Sequence, residues 1–186
     1  MPDASFREVS RLILDEAGAV LGQVKEEEVQ AFEDAILEAG AVFLAGEGRS
    51  GLVGRCFATR LMHLGLCSHV VGEMVTPAIQ SSDLLIAVSG SGETPTTCTL
   101  ARSAAQQGAR VAAVTAARAS PLSRSSHLTL LVPGAAKRGG ALASQQHGGS
   151  LFEQAALLTL DAIAFRLQRR LGRTSQEMEA RHATLE

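Results

Sequence analysis

The stretch that most constrains the fold is DLLIAVSGSGET, at positions 83–94. Its first half, Leu84 to Val88, is continuously apolar, which indicates a β-strand buried on both faces. Such strands occur mainly in parallel sheets that helices cover on either side. A helical pattern follows from Thr96 to Gln107, and Pro95 suits the first turn of that helix. The stretch therefore predicts a strand, a turn and a helix in direct succession.

The same alternation recurs along the chain. Two helices are predicted before the first strand, at Phe6–Val20 and Lys25–Glu38. A third is opened by the glycine-rich turn Gly46–Gly51 and runs to about His63. Later helices are predicted at 96–107, at 150–171 and at 174–185, and a short one begins at Ser120. Strands are predicted at 41–45, 68–71, 84–88, 110–115 and 127–132. Alternating strands and helices form a parallel sheet with right-handed crossovers. We predict an α/β fold of three layers: a five-stranded parallel sheet with helices on both faces, two N-terminal helices and a C-terminal helical tail. At 186 residues it fits one domain, 1–186.

The turn after the central strand has the composition of an anion site. Gly90 lets the backbone approach a ligand, and the N-terminus of the following helix offers free N–H groups and the positive end of its dipole. Ser89, Ser91 and Thr94 add hydroxyl donors. No lysine follows, so this is not the nucleoside-triphosphate loop. We interpret the turn as a holder for one phosphate monoester. Taken alone, it is equally compatible with a tight turn and a helix cap.

A second small-residue turn, Gly46–Gly51, follows the first strand. It matches the dinucleotide pattern G-x-G-x-x-G only when Gly51 is counted, and ribose binding would also need an acidic residue at the end of the second strand, where Glu73 lies close. Gly48 belongs to the turn, and Arg49 is more naturally a donor to a phosphate or to a neighbouring carboxylate. Because ligands of parallel α/β folds bind beyond the carboxyl ends of the strands, we expect both turns at one site.

Composition limits the classes of partner. The formal net charge is −2 without a basic block, and there is no Trp or Tyr, which argues against nucleic acid. Three cysteines without zinc spacing favour a reducing compartment, and no His, Asp or Glu group has metal spacing. Acidic residues interrupt the apolar residues of positions 1–22, so we expect neither a signal peptide nor a membrane span. We expect a cytosolic protein that uses no metal and no cofactor.

Segments beyond the two turns carry a family resemblance. Ser-Gly-Ser-Gly-Glu-Thr after a buried strand, with Gly-x-Gly-Arg-Ser-Gly upstream, resembles the sugar isomerase (SIS) domain, which binds phosphosugars on a flavodoxin-like parallel sheet. Narrower matches resemble the 6-phospho-3-hexuloisomerase family and lie at 60–65, 71–77, 149–153 and 179–186. That family turns 3-hexulose 6-phosphate into fructose 6-phosphate in formaldehyde fixation by the ribulose monophosphate pathway. The likeness covers Leu12 to Glu186. Glu47 departs from it, because the family usually has a small residue there.

The resemblance implies a metal-independent isomerase, usually a tetramer, that works beside a hexulose phosphate synthase. Carried over by position, the residues that would hold the phosphate are Ser50, Ser89, Ser91 and Thr94. Glu153 and His182 would lie near the reacting carbons. The glycines of the two turns, Gly48 and Gly90, belong to the same expected site.

The implied reaction needs one proton taken and one given, through an enediolate. Glu153 can act as the base if burial raises its pKa toward neutrality, although without the resemblance it reads as an acid that complements a helix dipole. His182 lies in a polar tail, from which it could reach the site of a neighbouring subunit. Arg49 could stabilise the enediolate or the phosphate, and Glu73 could orient a sugar hydroxyl. For His63, a core or capping role is as compatible as catalysis.

Other functions stay open. One is another isomerase of the same fold, acting on an aldose phosphate such as arabinose 5-phosphate or on a heptose precursor. A second is a phosphosugar-sensing module without catalysis, although the acidic segment before the first strand has no recognition-helix pattern. Nucleotide binding is a third and rests on G-x-G-x-x-G alone. Pro133–Gly149 is predicted to be a long loop, of a kind that is often functional or mobile.

Overall fold

A computed structural model describes residues 4–134 and 143–184. The helices in these ranges are α1 (Phe6–Leu21), α2 (Glu26–Glu38), α3 (Gly48–His63), α4 (Pro95–Gln106), α5 (Pro121–Arg124), α6 (Ser150–Arg170) and α7 (Ser175–Glu179). The strands are β1 (Val42–Gly46), β2 (Ser68–Val70), β3 (Leu84–Val88), β4 (Arg110–Thr115) and β5 (Leu128–Leu131). The predicted fold class and order of elements are confirmed, and most ends differ by a residue or two. The central part of the predicted loop Pro133–Gly149 lies outside the described residues.

All five strands are parallel, in the order β2-β1-β3-β4-β5. Gly46 of β1 lies opposite Val88 of β3, and Val88 lies opposite Val114 of β4, so the three central strands end at nearly the same level. This is the flavodoxin-like order of a doubly wound sheet. The chain leaves β1 toward one edge and β3 toward the other, which opens a crevice between their carboxyl ends.

Alternate residues of the central strands face two helix layers. Leu84, Ile86 and Val88 pack in a core with residues of α2, α3 and α6. Leu85 and Ala87 point the other way and pack against α4 and α5. All five residues of β3 are fully buried, as their continuous apolar character predicts.

The first helix packs only in part. It begins with a capping box, in which the Ser5 N–H donates to Glu8 Oε2 (2.7 Å) and the Glu8 N–H donates to Ser5 Oγ (3.3 Å). Its second half lies on α6, where Ala17 and Val20 are buried. Large apolar side chains of the helix stay exposed to solvent: Phe6, Val9 and Leu14. No helix in the described ranges combines the length and apolar character needed to cross a bilayer.

The C-terminal tail departs from the prediction of one helix over 174–185. A capping box of Thr174 and Glu177 starts α7, but the helix ends at Glu179. The residues after it turn back onto α3: the Arg181 guanidinium covers Gly65, and the His182 ring stacks on His63. These tertiary contacts outweigh the helical propensity of a short polar segment, which has little stability of its own.

Candidate functional site

A cleft of about 250 Å³ lies at the carboxyl ends of β1 and β3. Its walls are the turn after β1, the turn after β3 and the first turn of α6. The structure brings eight of the ten predicted site residues to these walls: Gly48, Arg49, Ser50, Ser89, Gly90, Ser91, Thr94 and Glu153. The other lining residues are Glu47, Val88, Gly149 and Phe152. The volume lies just below the range of about 300–1,000 Å³ typical of drug-sized ligands, so the cleft suits a small one.

Three helices begin at this cleft without a side-chain cap among the described residues. Their N-cap positions are Glu47 for α3, Thr94 for α4 and Gly149 for α6. By contrast, α1, α5 and α7 begin elsewhere, and a serine or threonine caps each of them. Uncapped α2 carries three glutamates in its first turn. The free N–H groups and positive dipole ends of three helices therefore meet at one place, which favours an anion such as phosphate.

The turn after β3 is shaped by hydrogen bonds from behind. Ser89 Oγ lies 3.0 Å from Thr94 Oγ1 and accepts the Gly92 N–H at 3.2 Å. Gly90 turns its carbonyl toward β4, where it accepts from the Thr115 hydroxyl (3.2 Å) and from the Ala116 N–H (3.0 Å). The Gly92 and Glu93 N–H groups are used inside the turn, by Ser89 and by Ser91 Oγ, so within the described residues the N–H groups of Gly90 and Ser91 are left for a ligand.

Gly92 lets this turn pack directly on the start of α5. Its φ is +62°, in the left-handed region, and a Cβ there would lie 2.1 Å from Ser120 Oγ. Ser120 is itself engaged, because its Oγ accepts the Ser123 N–H that begins α5. The Leu122 N–H donates to the Gly92 carbonyl at 3.0 Å. No side chain fits at position 92 without displacing the α5 cap.

The glycines of the turn after β1 serve close packing. A Cβ on Gly51 would lie 2.5 Å from the Gly46 carbonyl oxygen, and one on Gly46 would lie 2.9 Å from the Val88 carbonyl oxygen. The first turn of α3 therefore sits against the ends of both β1 and β3. This contact explains the G-x-G-x-x-G spacing without a dinucleotide, since close helix–strand packing is one of the roles of such glycines.

Arg49 and Glu153 form an ion pair across the cleft. The residues come from the first turns of α3 and α6 and are 104 positions apart. Arg49 was predicted to donate to a phosphate or to a neighbouring carboxylate, and the structure shows the carboxylate. The Glu153 side chain is 12% exposed, whereas that of Arg49 is 66% exposed and has room to turn toward a ligand. The pair places a proton acceptor and a positive charge on facing walls.

The two remaining predicted residues do not line the cleft. Glu73 follows β2 and pairs with Arg55 of α3 at 2.8 Å. His182 is exposed and stacks on His63 with ring centroids 4.0 Å apart. His63 ends α3, and thirteen residues separate it from Ser50, or roughly 20 Å at 1.5 Å per residue. Within one chain, His182 therefore does not reach the cleft.

His63 is buried to 4% exposure, and its Nδ1 has no hydrogen-bond partner among the described residues. Burial lowers its pKa, and the charges of His182 and Arg60 lower the pKa further. A neutral His63 can stack on His182 without charge repulsion. No group of three or more His, Cys, Asp or Glu side chains within residues 4–134 and 143–184 is arranged to hold a metal.

Several functional neighbours were not predicted from the sequence. Phe152 reads as a core residue of α6, and it is buried, yet one side of it lines the cleft. Gly149 looks like the end of a loop, and it is the N-cap of α6. Ser120 supports the turn after β3 from behind; its only signal in the sequence is the Ser-Pro pair that starts α5.

Comparisons with known proteins agree on one family. The model of the SIS domain matches residues 35–157. The chain is 41% identical over 176 residues to the 3-hexulose-6-phosphate isomerase of Mycobacterium gastri, covering 94% of this chain and 88% of that one. It is 39% identical to the 3-hexulose-6-phosphate isomerase of Bacillus subtilis, covering 94% and 95%. A crystal structure from Methanococcus jannaschii, for which the function of 3-hexulose-6-phosphate isomerase was inferred, matches with a TM-score of 0.83 and 32% identity, covering 96% and 99%.

Proposed function

The chain belongs to the SIS domain family, and from this membership and the cleft we propose that it is a 3-hexulose-6-phosphate isomerase. It would interconvert 3-hexulose 6-phosphate and fructose 6-phosphate, next to a hexulose phosphate synthase that supplies the substrate. The observation that carries the proposal is the meeting of three uncapped helix N-termini with the Arg49–Glu153 pair. Relatives similar over nearly the whole chain bear the name of this activity.

The phosphate would bind between the turns that follow β1 and β3. Hydroxyls of Ser50, Ser91 and Thr94 line this part of the cleft and can donate to phosphate oxygens. The backbone of Gly48 and Gly90 lets the anion approach the N-termini of α3 and α4. Ser89 is buried and bonded to Gly92 and Thr94, so it would contribute mainly by shaping the turn.

The reaction moves a carbonyl from C3 to C2. Glu153 would take the proton from C2, and the C–H electrons would form the C2–C3 double bond while the C3 carbonyl oxygen gains negative charge. A proton is then returned at C3, the C2 hydroxyl gives up its proton as the carbonyl forms at C2, and the C3 oxygen takes one up, so no external oxidant or reductant is needed. Arg49 would turn from Glu153 toward the enediolate oxygens, where a guanidinium stabilises the developing charge.

His182 would act on the cleft of a neighbouring subunit in a homo-oligomer, a tetramer by resemblance to the family. Its separation of roughly 20 Å from the cleft of its own chain motivates the proposal. Large apolar side chains are exposed at the surface of the chain. Leu52 of α3, two residues after Ser50, is one of them and is 59% exposed. A subunit packed there would bring its own residues near the substrate. Glu73, predicted to orient a sugar hydroxyl, pairs with Arg55 away from the cleft of its own chain and would have no role in this scheme.

Coupled turnover tests the reaction. Ribulose 5-phosphate, formaldehyde and a hexulose phosphate synthase would supply the substrate, and fructose 6-phosphate would be followed with and without a chelator. Glu153→Gln should lower kcat at least about 100-fold, the usual contribution of a positioned acid or base. Glu47→Gln is the matched control, because it removes a carboxylate from the same cleft and should leave kcat within about twofold. Wild-type protein that turns over arabinose 5-phosphate instead would overturn the proposed substrate.

Subunit mixing tests the role of His182. Glu153→Gln and His182→Ala proteins, each with little turnover, would be unfolded, mixed and refolded together. Mixed oligomers should regain activity, because some clefts then combine an intact Glu153 with an intact His182 from the neighbour. A mixture as inactive as its components, or a fully active His182→Ala protein, would refute the action of His182 across subunits.

A further inference from the structure

A group of hydrogen bonds joins α1 to the segment that leads into α6. Glu16 accepts from Ser144 Oγ at 2.7 Å, from the Gln145 N–H at 2.9 Å and from Gln146 Nε2 at 2.9 Å. We call these four residues the Glu16 clasp. They come from positions about 130 residues apart in the sequence. None of them lines the cleft, and the reaction proposed above makes no use of them.

The clasp engages both carboxylate oxygens. Oε2 accepts from Ser144 and Gln146, and Oε1 accepts from the Gln145 backbone. Partial burial alone would raise the pKa of Glu16, but the bonds from Gln145, Gln146 and Ser144 outweigh it and lower the pKa overall. Hydrogen bonds to a charged acceptor are roughly twice as strong as neutral ones. The clasp is therefore a firm attachment for a segment that has no regular secondary structure.

The clasp continues toward the cleft through Gln146. Its Oε1 accepts from Gln154 Nε2 at 2.8 Å, and Gln154 directly follows Glu153 in the first turn of α6. Between them, the Ser150 hydroxyl donates to the His147 carbonyl at 2.8 Å and closes the entry into the helix. Residues 144–149 thus connect α1 to the helix start that carries the carboxylate of the cleft.

We propose that Glu16 is a positioning residue for the isomerase: it holds residues 144–149 against α1 and, through Gln146 and Gln154, fixes the α6 N-terminus and Glu153. This role rests on the proposed function. A base held to its substrate within a fraction of an ångström loses much of its effect when its support shifts, and a displacement of about 1 Å can cost 100-fold in rate. The hydroxyls and turns expected to hold the phosphate follow β1 and β3, and the clasp reaches only the N-terminus of α6, so its loss should affect kcat more than KM.

Kinetics of Glu16→Ala and of a matched control test the role. Glu16→Ala should lower kcat by between about 10-fold and 100-fold while KM stays within about twofold. Asp15→Ala is the control: it removes a carboxylate from the adjacent position of α1, where Asp15 is exposed and, among the described residues, pairs with Arg11 of its own helix. This control should retain wild-type kcat and KM. Gln146→Ala should also lower kcat, and the double variant with Glu16→Ala should be no worse than Glu16→Ala alone.

Hydrogen exchange provides a readout that does not depend on turnover. The Gln145 N–H donates to Glu16, so its exchange should speed up in Glu16→Ala and remain slow in Asp15→Ala. Should Glu16→Ala fail to fold, Glu16→Gln carries the same test, since it keeps the shape of the side chain and removes its charge, and Gln146→Ala tests the path to Gln154.

The outcomes separate the two proposals. A wild type without isomerase turnover overturns the proposed function and this role with it, while exchange at Gln145 still reports whether the clasp forms. Unchanged kcat in a folded Glu16→Ala protein, with an active wild type, overturns the positioning role alone. Equal losses in Glu16→Ala and Asp15→Ala would assign the effect to α1 as a whole and would also overturn it. Additive losses in the Glu16 and Gln146 double variant would overturn the path through Gln146.

Discussion

Replacing Gly92 by alanine tests how tightly the turn after β3 is packed. Gly92 has a φ of +62°, and an added Cβ would lie 2.1 Å from Ser120 Oγ and 2.4 Å from Ser120 Cβ. Rotating the serine hydroxyl cannot relieve the contact with Cβ, so the turn and the start of α5 must move apart. Gly48 provides a matched control, because its φ is +57° and no heavy atom of the described chain beyond its neighbours lies within 4 Å of an added Cβ.

The expected cost has three parts. A non-glycine residue in the left-handed region costs roughly 1–2 kcal/mol. The smaller conformational entropy of the unfolded alanine chain offsets this by about 0.4–1 kcal/mol. These two parts apply to both glycines, so Gly48→Ala should lose about 1 kcal/mol. Gly92→Ala adds an overpacking term of about 1–3 kcal/mol, which brings its loss to roughly 2–4 kcal/mol.

Urea unfolding at one protein concentration, followed by circular dichroism, would measure both losses. Thermal unfolding gives a second measure. At about 2–4 °C per kcal/mol, Gly92→Ala should lower Tm by roughly 5–15 °C and Gly48→Ala by about 2–4 °C. The double variant Gly92→Ala with Ser120→Gly should recover most of the difference, because glycine at an N-cap costs only about a few tenths of a kcal/mol. Equal losses in Gly92→Ala and Gly48→Ala, or no recovery in the double variant, would refute the steric argument.

Three further predictions concern charged groups. Glu47→Gln removes a negative charge beside the expected phosphate, so it should lower KM by about twofold to fivefold at low salt. High salt screens that charge and should remove the difference, which measurements of KM at increasing salt concentrations would check. The pKa of His63 is lowered by burial, so the unfolded chain binds its proton more readily than the folded one. The contribution of His63 to stability should therefore be full above pH 6.5 and fall as the pH drops below it. The urea midpoints at about pH 7.5 and about pH 5.5 should differ less in His63→Gln than in the wild type. Glu33 is buried and accepts from Arg166 at 2.5 Å and from Arg170 at 3.2 Å, so Glu33→Ala should lower the free energy of unfolding by about 2 kcal/mol in the same assay.

The local signals in the sequence predicted most of the fold and the two turns of the candidate site, but not its carboxylate. A continuous apolar run marked β3, and the pattern of strands alternating with helices implied the parallel sheet. Because parallel strands end at one edge, the same pattern placed the Gly46–Gly51 and Ser89–Thr94 turns together. Glu153 was assigned by family resemblance, since a glutamate in a first helical turn is ordinary on its own.

Contacts between distant segments were beyond the reach of these signals. The sequence offers Arg49 several partners, and only the packing of α3 beside α6 selects Glu153. Glu73 and His182 have suitable chemistry, yet the fold directs one to Arg55 and the other to His63. The short α7 and the Glu16 clasp likewise depend on what lies across from them.

The sequence by itself determined the elements of this protein, their order and the chemistry of its turns, because backbone preferences and apolar periodicity act between residues a few positions apart. Only the tertiary structure decided which charged groups meet and which are held apart. A side chain's contacts depend on how helices pack over the sheet, and that packing is settled by the whole core at once. In the candidate site, the two turns follow from neighbouring residues in the sequence, whereas the position of Glu153 beside Arg49 follows from the packing of segments that are 104 positions apart.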